Sequence, residues 1–227
     1  IGALLACTVP IAIDEGQEMS DVVRTVQMPG LTRSWSAELR TEIVRKSIHL
    51  LIGLVPTLAA WNFGVTMVLL ASGILVYTYS EMMRLRGYEI AIISKVTAVA
   101  ARRRDAGKFV LGPVTLGIGA MLALVLYPEP AASIAIYALA FGDGLSSLVG
   151  KAIGSIRIPF TGGKSVEGSL TCFLAVLVSA HAVTGQIGKS VVVALVATVT
   201  EAIPTKDVDN LLLPAITGLA AVLIFVV

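Results

Sequence analysis

Charge is scarce in this chain: Asp, Glu, Lys and Arg make up 14% of its 227 residues, against roughly 25% in soluble domains. With 56% hydrophobic residues and a mean hydropathy of +0.88, that scarcity excludes an ordinary water-soluble enzyme. Cysteine is nearly absent. Cys7 and Cys172 both lie in apolar runs and match no Cys-x-x-Cys or Cys/His spacing, so neither a disulfide framework nor a zinc site is supported. Both read as small apolar residues. Charge of one sign is lacking too: 17 Lys and Arg stand against 15 Asp and Glu, a net +2. No global basic field exists to bind nucleic acid, and none is expected as a partner. No basic stretch precedes the opening apolar run, so no signal peptide is read. There is no clear internal repeat, which speaks against inverted-repeat transporters.

What the chain does have is apolar runs and 21 glycines, a composition suited to close-packed membrane helices with few aromatics. The runs are Ile1 to Ile13, Ile48 to Ala60, Gly64 to Tyr79, Phe109 to Tyr127, Ala131 to Phe141, Ser169 to Thr184, Ser190 to Ile203 and Leu211 to Val227. As a helix, Phe109 to Tyr127 would cover about 28 Å, close to the ~30 Å hydrocarbon thickness. The Ala131 run reaches full length only by continuing through Asp143 toward Val149, which puts an acid at or near membrane depth. The fold expected is all-α: a polytopic integral membrane helix bundle of about eight transmembrane segments (seven to nine), one domain over residues 1–227. Segment 14–47 is expected to become helical from about Ser36.

With eight spans the longer connections, 14–47, 80–108, 142–168 and 204–210, share one side. Every Lys and Arg except Lys189 lies on that side. By the positive-inside rule it is cytoplasmic, so a multi-pass protein of the cell inner membrane or endoplasmic reticulum is expected, its site facing the cytoplasm.

The chemistry concentrates in residues 141–170, FGDGLSSLVGKAIGSIRIPFTGGKSVEGSL. An acid at bilayer depth costs roughly 2.5–3.5 kcal/mol on insertion scales and usually faces a wet cavity or a partner. Asp143 is then a magnesium ligand or general base, or else a helix-end acid in water or paired with Lys151. Gly162, Gly163, Lys164 and Ser165 offer backbone N–H groups and an ammonium to phosphate oxygens. The bland alternative is a flexible loop with Ser165 as helix cap. The turn is not a Walker A loop, because Ile158 stands where its first glycine belongs. Glu167 suits a metal or the positive end of the following helix. On a helix, Glu42, Arg45, Lys46 and His49 share a face and form a polar stripe, which a snorkelling, salt-bridged helix end also explains. Glu201 ends the seventh run, and Asp209 and Asn210 open the eighth, as site residues or caps. Arg102, Arg103 and Arg104 suit anionic lipid headgroups better than nucleotide.

Four separated pieces resemble the polyprenol kinase family, which comprises dolichol kinase, phytol kinase and a CTP-dependent diacylglycerol kinase. They are EIVRKSIHLLIG (Glu42 to Gly53), FGDGLSSLVGKAIG (Phe141 to Gly154), GGKSVEGSL (Gly162 to Leu170), and EAIP with DNLLLP between Glu201 and Pro214. The resemblance implies transfer of the γ-phosphoryl group of a nucleoside triphosphate, CTP in the best known members, to a membrane-held lipid alcohol. It implies Mg²⁺ at Asp143, Asp209 and Glu167, and catalytic roles for Asp143, Glu167 and Lys164. It implies nucleotide contacts at Lys46, Lys151, Gly162, Gly163, Lys164, Ser165 and Asn210. Carboxylates for magnesium and cations for phosphates are the inventory that phosphoryl transfer needs. Two alternatives stand beside it. A CTP:phosphatidate cytidylyltransferase would use the same substrate types, but after Lys206-Asp207 the His-Gly-Gly segment usual to those enzymes is missing. An ion-coupled transporter would use the acids for coupling cations. The lipid alcohol, the base preference and the oligomeric state are not legible.

Overall fold

The computed structural model describes residues 29–88, 108–205 and 208–227, with side chains from residue 39 onward. Cys7, the Arg102 to Arg104 block, Lys206, Asp207 and the first apolar run lie outside the described residues. By its internal contacts the chain divides into Ile1–Ala37 and Glu38–Val227, and the site with the helices that carry it belongs to the second unit.

Among the described residues the regular elements are helices, joined by short turns and by one longer loop, residues 153–165. Helix α1 (Pro29–Ile52) begins seven residues before the expected Ser36. After a break at Gly53–Leu54, Pro56 seeds the short α2 (Val55–Trp61), its fixed φ suiting a first turn. Asn62 accepts a hydrogen bond from Val65 N at 3.0 Å and so caps α3 (Phe63–Leu85). Helices α4 (Gly112–Leu126) and α5 (Ala131–Tyr137) follow. A single π-turn, Ala138–Asp143, joins α5 without interruption to α6 (Gly144–Ala152). Helices α7 (Val166–Thr184), α8 (Ile187–Ala202) and α9 (Asp209–Ala221) complete the set, α9 ending in a second π-turn. Gly185, at φ +70°, closes α7 in the left-handed conformation that suits glycine.

Among the described residues five helices are long and apolar enough to cross a membrane: Leu39–Trp61, Phe63–Leu85, Ala131–Ala152, Val166–Thr184 and Asp209–Val226. The expected count of about eight is not confirmed among the described residues. The stretch Phe109 to Tyr127 is the clearest departure, because its helix is only 15 residues, roughly 22 Å long. Pro113 sits in the first turn, and Phe109 to Leu111 run non-helically before it. That lead-in is held from α3 instead: Glu81 accepts from Val110 N (2.9 Å), Tyr77 donates to Val110 O (2.9 Å), and Arg84 donates to Lys108 O (3.0 Å).

The continuation of the Ala131 run through Asp143 does occur, as one 22-residue helix. It is the innermost element: 67% of its window is buried, against 11% for Phe63–Leu85. Its partners are lined with small side chains, Ala180 on α7, Ala194 and Ala197 on α8 and Ala221 on α9, all fully buried. Small residues let helices pack where hydrophobicity alone gives no drive between them. Asp143 therefore lies on the most enclosed of the candidate spans among the described residues.

Candidate active site

Asp143 ends the π-turn and is buried. The glycines on either side explain how neighbours reach it. A Cβ at Gly142 would meet Val176 at 3.1 Å and Cys172 at 3.3 Å on α7, and one at Gly144 would meet Leu50 on α1 at 3.3 Å. Two helices thus close on the acid from opposite sides, and π-turns recur where a helix carries a functional side chain.

From α1, the stripe Glu42, Arg45, Lys46 and His49 faces inward as its spacing predicts. Lys46 Nζ donates to Asp143 Oδ2 at 2.5 Å, and His49 Nδ1 lies 3.1 Å from the same oxygen. The lysine side chain is 1% exposed, so it sits behind the carboxylate and not on open surface. One turn earlier, Glu42 is bracketed by Arg45 (2.6 Å) and by Lys151 at the end of α6 (2.5 Å). Ser147, one turn beyond Asp143, donates to its other oxygen at 3.4 Å. Each buried charge has a counter-charge, without which its desolvation would be prohibitive.

The loop between α6 and α7 is built as tightly. Ile158 N donates to Lys164 O and Val166 N to Ile156 O, both 2.9 Å, around an antiparallel bridge between Arg157 and Ser165. Gly162 and Gly163 take φ +70° and +97°, conformations an L side chain would strain. Arg157 donates to Gly163 O at 2.8 Å. Ser165 Oγ accepts from Gly168 N at 3.1 Å, so the cap expected of it is made. Lys164 reaches to the end of α8, where its Nζ is 2.8 Å from Glu201 Oε1, and Ser146 donates to the same oxygen at 3.3 Å.

These groups surround one cavity of about 400 Å³. Asp143, Lys151, Gly162, Gly163, Lys164, Ser165, Glu201 and Asp209 all line it, as do Glu42, Arg45, Ser146, Ser147, Arg157, Thr161 and Thr205. Acids, amines and a glycine turn drawn from five helices and a loop therefore meet in a single space.

Three expected residues stand elsewhere. Lys46 backs Asp143 and is not part of the wall. Glu167 turns to the loop, its Oε1 accepting from Ser155 N (2.8 Å) and Ile156 N (3.2 Å), off the wall. Asn210 donates from Nδ2 to Thr115 Oγ1 (2.9 Å) and Gly112 O (3.2 Å), fastening α9 to α4, and is neither a helix cap nor a wall residue. Conversely, no pattern in the sequence marked Arg157, Thr161 or Thr205. Ser146 and Ser147 could have been found, standing three and four residues after Asp143 on one helical face.

For magnesium, the donor set can be tested on the geometry. Among the described residues no group of three or more His, Cys, Asp or Glu is arranged to hold a metal. Mg²⁺ bound with a nucleotide needs less, usually one or two carboxylates plus waters and phosphate oxygens. Asp143 and Asp209 on one wall meet that requirement, and both keep acceptor capacity beyond their internal bonds.

Apolar helices long enough to cross a membrane, gathered at one end around an ion-paired polar cavity, define a helical membrane protein with a charged site. No family model matches the chain, and no solved structure does. Among curated proteins it is similar to a probable chloroplastic phytol kinase of Triticum aestivum, 29% identical over 207 residues, covering 82% of this chain and 69% of that one. It is similar also to a probable phytol kinase 1 of Oryza sativa (28%, 82% and 66%) and to phytol kinase 1 of Arabidopsis thaliana (26%, 82% and 68%), both chloroplastic. These relatives are all named phytol kinase, which supports the resemblance to the polyprenol kinase family read from the sequence.

Proposed function

We propose that this protein is a membrane lipid alcohol kinase, transferring the γ-phosphoryl group of a nucleoside triphosphate, CTP by preference, to an isoprenoid alcohol of the phytol or polyprenol type. The observation that carries the proposal is that Asp143, Lys164, Asp209 and the Gly162-Gly163 turn line one cavity. Names of relatives at 26–29% identity support the class of reaction.

In this proposal the alcohol oxygen attacks the γ-phosphorus, the bond from that phosphorus to the β–γ bridging oxygen breaks, and nucleoside diphosphate leaves. Such transition states are loose, so alignment and charge neutralisation matter more than a strong base. Lys164 and Lys151 are the cations best able to turn to phosphate oxygens, with side chains 28% and 44% exposed. The Gly162 and Gly163 backbone lies beside Lys164 on the wall, and Arg157 braces it through Gly163 O. Asp143 and Asp209 would hold Mg²⁺, which supplies charge neutralisation between the phosphates. Lys46 and His49 fix the Asp143 carboxylate, and Glu167 fixes the loop.

The test is to give protein reconstituted in lipid vesicles γ-labelled CTP or ATP with phytol, longer polyprenols and diacylglycerol, and to read product mass. Label in a lipid monophosphate is expected, with CTP the better donor. Labelled pyrophosphate with a cytidine-diphosphate lipid would make the protein a cytidylyltransferase. Absence of transfer from any nucleotide would overturn the kinase assignment.

A further inference from the structure

The loop between α6 and α7 also carries large apolar side chains that do not line the cavity. Ile153, Ile156 and Phe160 are 66%, 62% and 98% exposed. Loose packing does not explain this, because the loop is tied down by the Glu167 carboxylate, by the 156–166 and 158–164 backbone bonds, and by Thr161 Oγ1 donating to Ile158 O at 2.8 Å. Phe160 is moreover held at φ +63°, an uncommon conformation for a bulky residue. A well-ordered loop thus presents three large apolar side chains to the outside.

The loop's position names the partner. It joins two candidate membrane spans, Ala131–Ala152 and Val166–Thr184, so both of its ends emerge at the same bilayer face within a few residues of the headgroups. The nearby cations Lys151 and Arg157 are held on the cavity side, by Glu42 and by Gly163 O, which leaves the apolar side chains as the loop's outward contribution. Large apolar side chains exposed where the chain leaves a span suit the interface, the apolar part about 5–10 Å into the headgroup and acyl boundary.

We propose that Ile153, Ile156 and Phe160 form an interfacial anchor inserted into the bilayer leaflet at the charged end of the helices. The other arm of the same loop, Thr161 to Lys164, lines the cavity. The anchor fixes the height of that arm, and of the cavity it lines, over the membrane. The membrane reading is required for this; the kinase reading is not.

The test uses fluorescence. Only two tryptophans occur, Trp35 and Trp61; in a W35F/W61F background, F160W is placed in phosphatidylcholine–phosphatidylglycerol vesicles. Lipids brominated near the headgroup should cut its emission by about half, consistent with shallow insertion, and aqueous iodide should quench it weakly. Strong iodide quenching without bromolipid quenching overturns the proposal, as does shielding from both quenchers, which would mean a protein contact. I156W in the same background provides an independent reporter should F160W fold poorly. Bromolipid quenching in a protein that transfers no phosphate would sink the kinase reading and uphold this one.

Discussion

Lys164 Nζ lies 2.8 Å from Glu201 Oε1, joining the glycine loop to the end of α8 across 37 residues of chain. The pair stands at the wall of the cavity, and its lysine is only partly covered. A phosphate entering the cavity would compete with the carboxylate for the ammonium. Lys164→Met should therefore raise nucleotide KM by about 10- to 100-fold, the value of one hydrogen bond to a charged group. Glu201→Gln should leave nucleotide KM unchanged or lower while reducing kcat, since the lysine is freed but no longer aimed. Thermal shift offers a parallel check: magnesium-nucleotide at 100 times Kd should add about 2.7 kcal/mol to wild-type stability, and Lys164→Met should cut that gain to about 0.4–1.4 kcal/mol at the same concentration.

The Lys46 and Asp143 pair behaves differently because it is enclosed. Removing one partner of a buried pair leaves an uncompensated charge and costs about 3–5 kcal/mol. Lys46→Met should lower Tm sharply. The double variant Lys46→Met/Asp143→Leu should recover most of that loss, since well-packed apolar substitutes are often no worse than the pair, yet remain inactive. Recovery of turnover along with Tm would remove Asp143 from the chemistry.

Much of this site was legible because polar residues stand out against an apolar chain. Asp143 declared itself by lying inside a span, and helical periodicity put Glu42, Arg45, Lys46 and His49 on one face before any partner was visible. Their pairings were not legible. Lys151 is matched with Glu42 over 109 residues and Lys46 with Asp143 over 97, contacts fixed by helix packing and not by local pattern. Composition likewise favoured a full span at Phe109 to Tyr127, where Pro113 and the ties from Glu81, Tyr77 and Arg84 shorten the helix. Glu167 reads from sequence as a metal ligand or helix-end acid because the residues its carboxylate binds, Ser155 and Ile156, offer only backbone N–H groups.

Helix α6 approaches α7 at Gly168. A Cβ there would come within 2.8 Å of Ser146 O and 3.3 Å of Gly150 Cα, both backbone atoms that cannot swing aside. Gly168→Val should push α7 from α6, costing about 1–3 kcal/mol as overpacking usually does, and should separate Ser165 and Lys164 from Asp143. Loss of activity together with a lower Tm is expected. Gly73→Ala, on α3 with open space around it, should leave both unchanged, and equal damage from the two would show that glycine content, not this contact, matters.

Asn210 gives the sharpest distinction between a nucleotide contact and a positioning residue. Its amide donates to Thr115 Oγ1 and Gly112 O on α4, and the next residue toward the N-terminus is Asp209 on the cavity wall. If it acts by fastening the start of α9, Asn210→Ala should cost about 1–3 kcal/mol for the buried groups left unpaired and should lower kcat through Asp209. Nucleotide KM should change little. Thr115→Val, remote from the cavity wall, should reproduce part of both effects. A direct nucleotide contact makes the opposite pattern: a raised nucleotide KM at unchanged Tm, with Thr115→Val silent. Measuring Tm and the two kinetic constants for these variants decides between them.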